Sequence, residues 1–543
     1  MGIIETLAIL LYLGITGYLG FLGYKQTKDE TDYLLAGRNT HPFVMAMSYG
    51  ATFISTAAIV GFGGVAAWLG QSLLWLAFCN IFVGVFIAFV FLGNPTRKLG
   101  YRLNAHTFPE LLGKRYDSKG IQLFGGLFIA TFMPLYAAAV LIGGTHFVAE
   151  YFKIDYHVAL LLFSVIITAY VIAGGLKGVM LADALQGSVM FVAMILLLFF
   201  TFDSLGGITP AFQALGESWQ ATVEPLRARP LGEFAPQSPD FLMRLSLAWG
   251  FEGWAKMPDL LSEGWLFVIT TITLGVGIGV LAQPQLVVRF MTVKSAKELQ
   301  RAVPIGGIFI LVAVAIVFVA GSLSNAWYFI HEGKNALQAA GGVNNVIPRF
   351  INDALPSWFG LLFFLALISA AMSTLSSQFH AMGTAIGRDT LEQIFPQSKH
   401  HSALVTKAGV LVMILISVSL AYLFDKQPAI IARSTAIFFA LCAAIFLPSY
   451  LAALFWKRAT KAGVFASMTI GALTSIFWIT LVHFNEAKAL GIAKALFGVN
   501  SILSGKIIFV DALIIALPLS FFALYLGSIL SKPFKESHLK RCF

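Results

Sequence analysis

The sequence predicts an all-α polytopic membrane protein, on three observations. Of its 543 residues, 58% are hydrophobic and only 11% are charged, whereas a soluble domain carries about a quarter charged residues. Runs of about 20 apolar residues recur along almost the whole chain, and each is long enough to cross a hydrocarbon core of roughly 30 Å. The three cysteines, Cys79, Cys442 and Cys542, stand far apart and without CxxC spacing, so neither a disulfide framework nor a metal knuckle is expected. This composition cannot build a water-facing surface, which excludes a soluble domain, a nucleic-acid binder and a disordered scaffold.

With a window of about 19 residues, thirteen spans are expected, at 3–23, 43–68, 71–94, 121–149, 156–174, 179–203, 264–288, 303–324, 357–383, 404–424, 429–456, 462–483 and 506–530. The first has no basic residue before it and no A-x-A-like cleavage site, so it reads as a retained span rather than a signal peptide. If the N-terminus lies outside, the inward connections and the span ends beside them hold 24 of the 36 Lys and Arg, against 12 outward. Positive residues favour the cytoplasm, so the N-terminus is expected outside and the C-terminus inside, in a multi-pass protein of the plasma membrane. Two segments fit the hydropathy pattern poorly. Residues 204–263 form a long outer loop whose Trp219, Trp249, Trp254 and Trp265 suggest interfacial anchoring of an amphipathic helix. Residues 325–356, with Gly341, Gly342 and Pro348, suggest a partly helical outer loop.

An internal symmetry runs through the spans. The second span carries Gly50, Gly61, Gly63 and Gly64 with Ser48, Thr52, Ser55 and Thr56; the seventh, five later, carries Gly275, Gly277, Gly279 and Pro284. Interrupted spans at matching positions in two halves point to broken helices at a substrate site, although glycine also serves close helix packing. Five spans per half is an odd number, so the second half is expected to sit inverted.

Polar residues inside spans are the candidates for chemistry. In the ninth span, Ala370, Ser373, Thr374 and Ser377 share one helical face at i, i+3, i+4 and i+7. Hydroxyl oxygens are hard ligands for alkali and alkaline-earth cations, so this face reads as a cation site, or as hydroxyls bonded only to their own helix. Asp183, near the start of the sixth span, is an ionisable group in a membrane segment and so a functional candidate, or else a carboxylate snorkelling beside Lys177. Arg433 and Lys426 sit near an outer span end, where Arg433 is expected to snorkel, and His380 is expected to pack or hydrogen-bond locally. There is no HExxH, GxSxG or P-loop and no histidine pair on a helix, so an enzyme is not expected.

The same residues carry a resemblance. Ala173-Gly174-Gly175-Leu176 followed by Asp183 and Gln186, the stretch Gln283-Pro284-Gln285-Leu286-Val287-Val288-Arg289-Phe290, Ala371-Met372-Ser373-Thr374-Leu375, and Phe455-Trp456-Lys457-Arg458-Ala459-Thr460 with Gly463 together resemble the sodium:solute symporters from about residue 3 to 480. The resemblance implies a LeuT-type 5+5 inverted repeat: an extra helix and loop at 1–40, repeats at 41–203 and 264–456 joined by the outer loop 204–263, and two extra helices with a short tail at 457–543. It implies a main sodium site made by the carbonyls of Ala51, Ile54 and Ala370 and the hydroxyls of Ser373 and Thr374. It also implies a second sodium site of Asp183, Ser373, Ser376 and Ser377, although Gly178 and Ala182 depart from the family pattern there.

For the solute, proline-type members carry aromatics where this chain has Val276 and Val280, and an acidic residue where it has Phe53, so proline is disfavoured. Arg102-Leu103-Asn104-Ala105-His106-Thr107 with Arg115-Tyr116 lean towards pantothenate-type carriers. An uncharged broken helix, offering positive dipole ends and hydroxyls, suits a carboxylate. Thr52, Phe53, Ser55, Thr56, Val276, Val280 and Gln283 are the expected solute-binding residues. The expected function is sodium-coupled import of a small organic solute by alternating access, with one or two sodium ions, a lipid bilayer around it and no obligatory protein partner evident. Proton coupling, an amino-acid or sugar cargo, and a transporter-like sensor or channel are the alternatives. A sensor would append a signalling domain, yet only about thirteen residues follow the last span.

Overall fold

The computed structural model describes residues 3–543 apart from 237, 396, 398–401 and 428. Among the described residues, eleven helices are long and apolar enough to cross a membrane. The expected spans at 43–68 and 71–94 run together in Ala57–Arg102, and Tyr156–Thr168 lies within the expected span at 156–174 as an apolar helix. The chain winds through α1 (Ile3–Gln26), α2 (Pro42–Phe53), α3 (Phe62–Leu69), a short helix α4 (Phe108–Arg115), then α5 (Lys119–Phe152) and α6 (Tyr156–Asp203). After α7 (Ile208–Arg227) and α8 (Pro239–Ala248) come α9 (Gly275–Gly279), α10 (Pro284–Phe290), α11 (Ala296–Glu332), α12 (Ser357–Thr384), α13 (Ser402–Phe424), α14 (Ile430–Phe455), α15 (Lys461–Phe477) and α16 (Ala512–Leu530).

Three interruptions shape this bundle. At Ile54, φ −82° and ψ 83° end α2, and the helix restarts beyond Ser55, whose hydroxyl accepts from the Ala58 N–H at 3.3 Å. At Gln283, ψ 122° breaks the seventh expected span, and Pro284 starts α10, where the missing N–H costs nothing. The spans expected at 156–174 and 179–203 form one element broken at Gly175, whose φ of +56° and ψ of 176° suit glycine. Of the motif 173–176, the side chains of Ala173 and Gly174 lie outside the described residues.

The glycines expected to break the two spans do something else. Gly275, Gly277 and Gly279 are all helical, and a Cβ on Gly279 would stand 2.4 Å from the Phe439 carbonyl oxygen. A Cβ on Gly64 would stand 1.9 Å from the Val343 oxygen. These positions let backbones approach, as small residues do in membrane interfaces, and the breaks fall at Ile54–Ser55 and Gln283 instead.

The loops gather on two faces. One face joins Arg38 to Asn104, Thr40 to Thr292, Arg97 to Lys294, Arg388 to Glu110, and His538 to Arg115; it carries the dense basic loop and is called the basic face below. On the opposite face Gln338 bonds Asp240, Asn344 bonds Gln427, and Arg433 pairs with Glu486 at 2.8 Å. Arg433 is therefore held by a carboxylate rather than snorkelling freely. The 204–263 segment also departs from expectation. Trp219, Trp249 and Trp254 are 1% exposed and pack into the protein: Trp219 on Trp254 at 5.1 Å, Trp249 on Trp68 at 5.8 Å. Trp254 donates to the Trp68 carbonyl. Aromatic surface that could have faced lipid headgroups instead clamps the loop over the bundle.

Gly279→Ala should lower the thermal unfolding midpoint in detergent by an amount matching about 1–3 kcal/mol of overpacking. Gly307→Ala, whose added methyl meets nothing within 4 Å, should leave the midpoint in place.

Candidate functional site: a buried ion pair between two helix breaks

The breaks in α2 and between α9 and α10 face the middle of α12. Thr374 on α12 donates to the Thr52 carbonyl at 3.0 Å, with the Ala51 carbonyl at 3.4 Å. These are the last carbonyls of α2, which the break at Ile54 leaves without intrahelical donors. Thr52 Oγ1 stands 3.4 Å from Ser373 Oγ and 3.1 Å from Ser377 Oγ. Ala51, Ile54, Ala370, Ser373 and Thr374 are all buried, so the fold assembles hydroxyls and freed carbonyl oxygens in one dry place. Hard oxygens of that kind can hold a sodium ion.

One turn towards the basic face stands a charge that the sequence reading left out of the site. Arg289, at the end of α10, is 1% exposed. Its Nη2 donates to Thr52 Oγ1 at 2.5 Å, Ser377 Oγ at 2.6 Å and Asp183 Oδ2 at 3.3 Å; its Nε donates to Ser48 Oγ at 3.0 Å. The Ser48 hydroxyl in turn donates to Asp183 Oδ2 at 2.6 Å, and Nη1 donates to the Gln285 carbonyl at 2.6 Å. The planar fork of guanidinium donors suits this arrangement, and lysine could not reproduce it. Asp183 therefore does not snorkel beside Lys177; it is 0% exposed and paired with Arg289, while Lys177 reaches Asp32.

This geometry bears directly on the expected set Asp183, Ser373, Ser376 and Ser377. Arg289 stands between Asp183 and Ser377 and bonds both. Ser376 turns away and donates to the Ser373 carbonyl of its own helix at 3.0 Å. The signal for Arg289 was present in the sequence, as an arginine five residues beyond Pro284, but counting it with the following loop hid it.

On the other side of the break lies a closed pocket of about 20 Å³, lined by Phe53, Phe62, Phe318, Phe439, Tyr136, Val276, Ser55, Asn80 and Thr435 among others. Tyr136 stacks on Phe438 and meets Phe439 edge-on; its hydroxyl stands 3.5 Å from Ser55 Oγ. Asn80 is 2% exposed, and its Oδ1 has no hydrogen-bond partner. Of the expected solute residues, Phe53, Ser55 and Val276 line this pocket. The others do not. Thr52 turns to Arg289, Thr56 donates to the Val140 carbonyl at 2.5 Å, Val280 packs against Gly84, and Gln283 accepts from Gln285. Asn80, Tyr136, Thr435 and Phe439 were missed; an amide inside the apolar run 73–92 was the one legible sign.

One turn further out along the same helices, at Phe267, Thr271, Ala432 and Arg433, opens a cavity of about 650 Å³ on the face opposite the basic loops. On the basic side only about 30 Å³ is open, near Arg289, His380 and Asp389. His380 packs its ring 5.4 Å from Tyr33.

Removing one partner of the buried pair should be costly, because it leaves an uncompensated charge. Arg289→Gln and Asp183→Asn should each destabilise the protein by about 3–5 kcal/mol. The double variant should lose less than the two singles summed. A double-mutant cycle by thermal unfolding checks this, and additive losses would refute the coupling.

The profile of the Sodium:solute symporter family matches residues 33–471. Among curated proteins, the chain is 27% identical over 494 residues to the osmoregulated proline transporter OpuE of Bacillus subtilis, covering 90% of this chain and 91% of that one. It is 28% identical over 467 residues to the high-affinity proline transporter PutP of the same organism, covering 85% and 89%. It is 27% identical over 516 residues to a sodium/proline symporter of Staphylococcus aureus, covering 92% and 90%. Among solved structures, a Na+-coupled sialic acid symporter in a substrate-bound outward-open state superposes with a TM-score of 0.69 at 18% identity, over 98% of this chain and 99% of that one. The fold is thus the LeuT type, and the chain belongs to the sodium:solute symporter family of multi-pass membrane transporters.

Proposed function

We propose that this sodium-coupled symporter imports a small amino acid of about proline's size, one sodium ion travelling with each solute molecule. The observation that carries the reading is Asn80: a buried amide oxygen without a donor, in an aromatic pocket beside Ser55 at the break of the first core helix. A half-helix N-terminus carries partial positive charge and unpaired N–H groups, which suit the carboxylate of a solute. Asn80 Oδ1 then accepts from the amine, and Phe53, Tyr136 and Phe439 cover the apolar part. The relatives at 27–28% identity are proline transporters by name, which moves the reading from a bare carboxylate to an amino acid. Proline is disfavoured in the sequence by valines at 276 and 280 and by Phe53 in place of an acidic residue; Phe53 and Val276 do line the pocket. Val280 faces Gly84 and has no bearing on the pocket, while aromatic surface comes from other helices.

For the ion, the support is the meeting of Ser373 and Thr374 with the freed carbonyls at the end of α2. Ala370 and Ile54 belong to the same proposed set with Ala51. A second sodium held by Asp183, Ser373, Ser376 and Ser377 would need Arg289 to withdraw, because that guanidinium already neutralises the carboxylate; this favours one ion over two.

Proteoliposomes holding the purified protein should accumulate labelled proline only under an inward sodium gradient, and pantothenate should not compete. Accumulation driven by a proton gradient without sodium would refute the coupling, and pantothenate uptake without proline uptake would refute the solute. Ser373→Ala and Thr374→Ala should each raise the sodium concentration for half-maximal uptake about tenfold, the effect of losing roughly 1.4 kcal/mol of ligation. A sodium-to-proline flux ratio of two would restore the second site.

A further inference from the structure

The small cavity on the basic side is a built site of its own. Its volume of about 30 Å³ exceeds the roughly 10–15 Å³ that one water centre needs, so it can hold one dehydrated cation with a water. Two oxygens on residues in its wall lack any hydrogen-bond partner, Asp389 Oδ2 and Gln285 Oε1. Both residues are almost wholly buried, at 1% and 3% exposed. A buried carboxylate oxygen and a buried amide oxygen left without donors are costly, and finding both on one cavity calls for a ligand that accepts oxygens.

The surrounding charges sharpen the case. Asp389 Oδ1 receives only neutral donors, Thr107 Oγ1 at 2.8 Å and Gln122 Nε2 at 2.9 Å. The neighbouring cations form their ion pairs with other carboxylates, although the Arg388 charge also acts on Asp389 through space: Arg388 reaches Glu110 at 3.0 and 3.1 Å, Lys114 reaches Glu110 at 2.7 Å, and Arg289 reaches Asp183. Among the described residues Asp389 has no ion-pair partner. Hydroxyls lead to it from the helix break: Ser373, Ser377 and Thr384 follow one another down α12 at i, i+4 and i+11, and Ser377 and Thr384 line the cavity. Carboxylate, amide and hydroxyl oxygens form a hard donor set suited to sodium and unsuited to soft metals.

We propose that a sodium ion binds a second time here, on Asp389 Oδ2 and Gln285 Oε1, as a relay between the helix break and the basic face, which the positive-inside bias places in the cytoplasm. The relay is distinct from any site at Asp183, which lies on the other side of the Arg289 guanidinium. It rests on the sodium coupling of the family and not on the identity of the solute.

The test uses sodium alone. Equilibrium binding of radiolabelled sodium to the purified full-length protein should resolve two components in the wild type. Asp389→Asn should weaken one of them at least about tenfold and leave the other. Ser373→Ala should do the reverse. An isotherm unchanged by Asp389→Asn overturns the relay, and so does a variant in which both components weaken together. If Asp389→Asn does not reach the membrane as folded protein, Gln285→Leu removes the other oxygen. It must then weaken the same component, and an unchanged isotherm overturns the proposal.

Discussion

The Arg289 guanidinium and the Asp183 carboxylate meet where four helices converge and where little water can reach either. Taking both charges out of water costs several kcal/mol per ion, and their attraction offsets this only if the remaining donors and acceptors are satisfied. Arg289 meets its part of that condition by spreading its donors over Asp183, Ser48, Thr52, Ser377 and the Gln285 carbonyl, while Asp183 Oδ1 has no hydrogen-bond partner. Because those partners sit on α2, α6, α10 and α12, the pair ties the inner halves of both broken helices to the helices behind them. The pocket at the breaks, the closed basic side and the hydroxyl row on α12 all depend on this tie.

The same pair constrains how the helices around it can move. A buried pair held by this many hydrogen bonds favours one arrangement, and moving α10 or α2 would strip several of them at once. A cavity of about 650 Å³ lies on the opposite face, and a small one of about 30 Å³ lies beneath Arg289. Opening the basic side requires the network to reorganise. Bistable packing of this kind, rather than continuous deformation, is how small changes at a site become movements of whole helices.

Several misreadings of the sequence share one cause. Glycines at 61–64 and 275–279 looked like helix breakers because glycine is permissive in isolation. Their actual constraint is the backbone of a distant helix, Phe439 against Gly279 and Val343 against Gly64, which no local pattern records. The tryptophans of 204–263 looked like interfacial anchors because amphipathic aromatics suit headgroups, yet they found one another and Trp68. Asp183 was visible as an ionisable group in a span, but its partner lies 106 residues away. Asp389 carried no signal, since a carboxylate near a span end is ordinary until its neighbours are known, and Gln285 was visible only as part of a motif.

By itself the sequence determined the membrane, the all-helical class, the positions of the apolar segments and the family, because hydropathy over about 20 residues and short motifs are local properties of the chain. It also placed Ser373 and Thr374 correctly on one face of a helix, since the 3.6-residue period is local too. Only the tertiary structure decided what those faces meet: that Arg289 neutralises Asp183, that Thr52 belongs to the ion pair and Val280 to a packing contact, and that Asn80 and Tyr136 line the central pocket. Partner choice in a buried polar network depends on which helices are adjacent and on which groups remain unsatisfied once they are. Both are set by the packing of segments hundreds of residues apart, where a linear reading has no distance to measure.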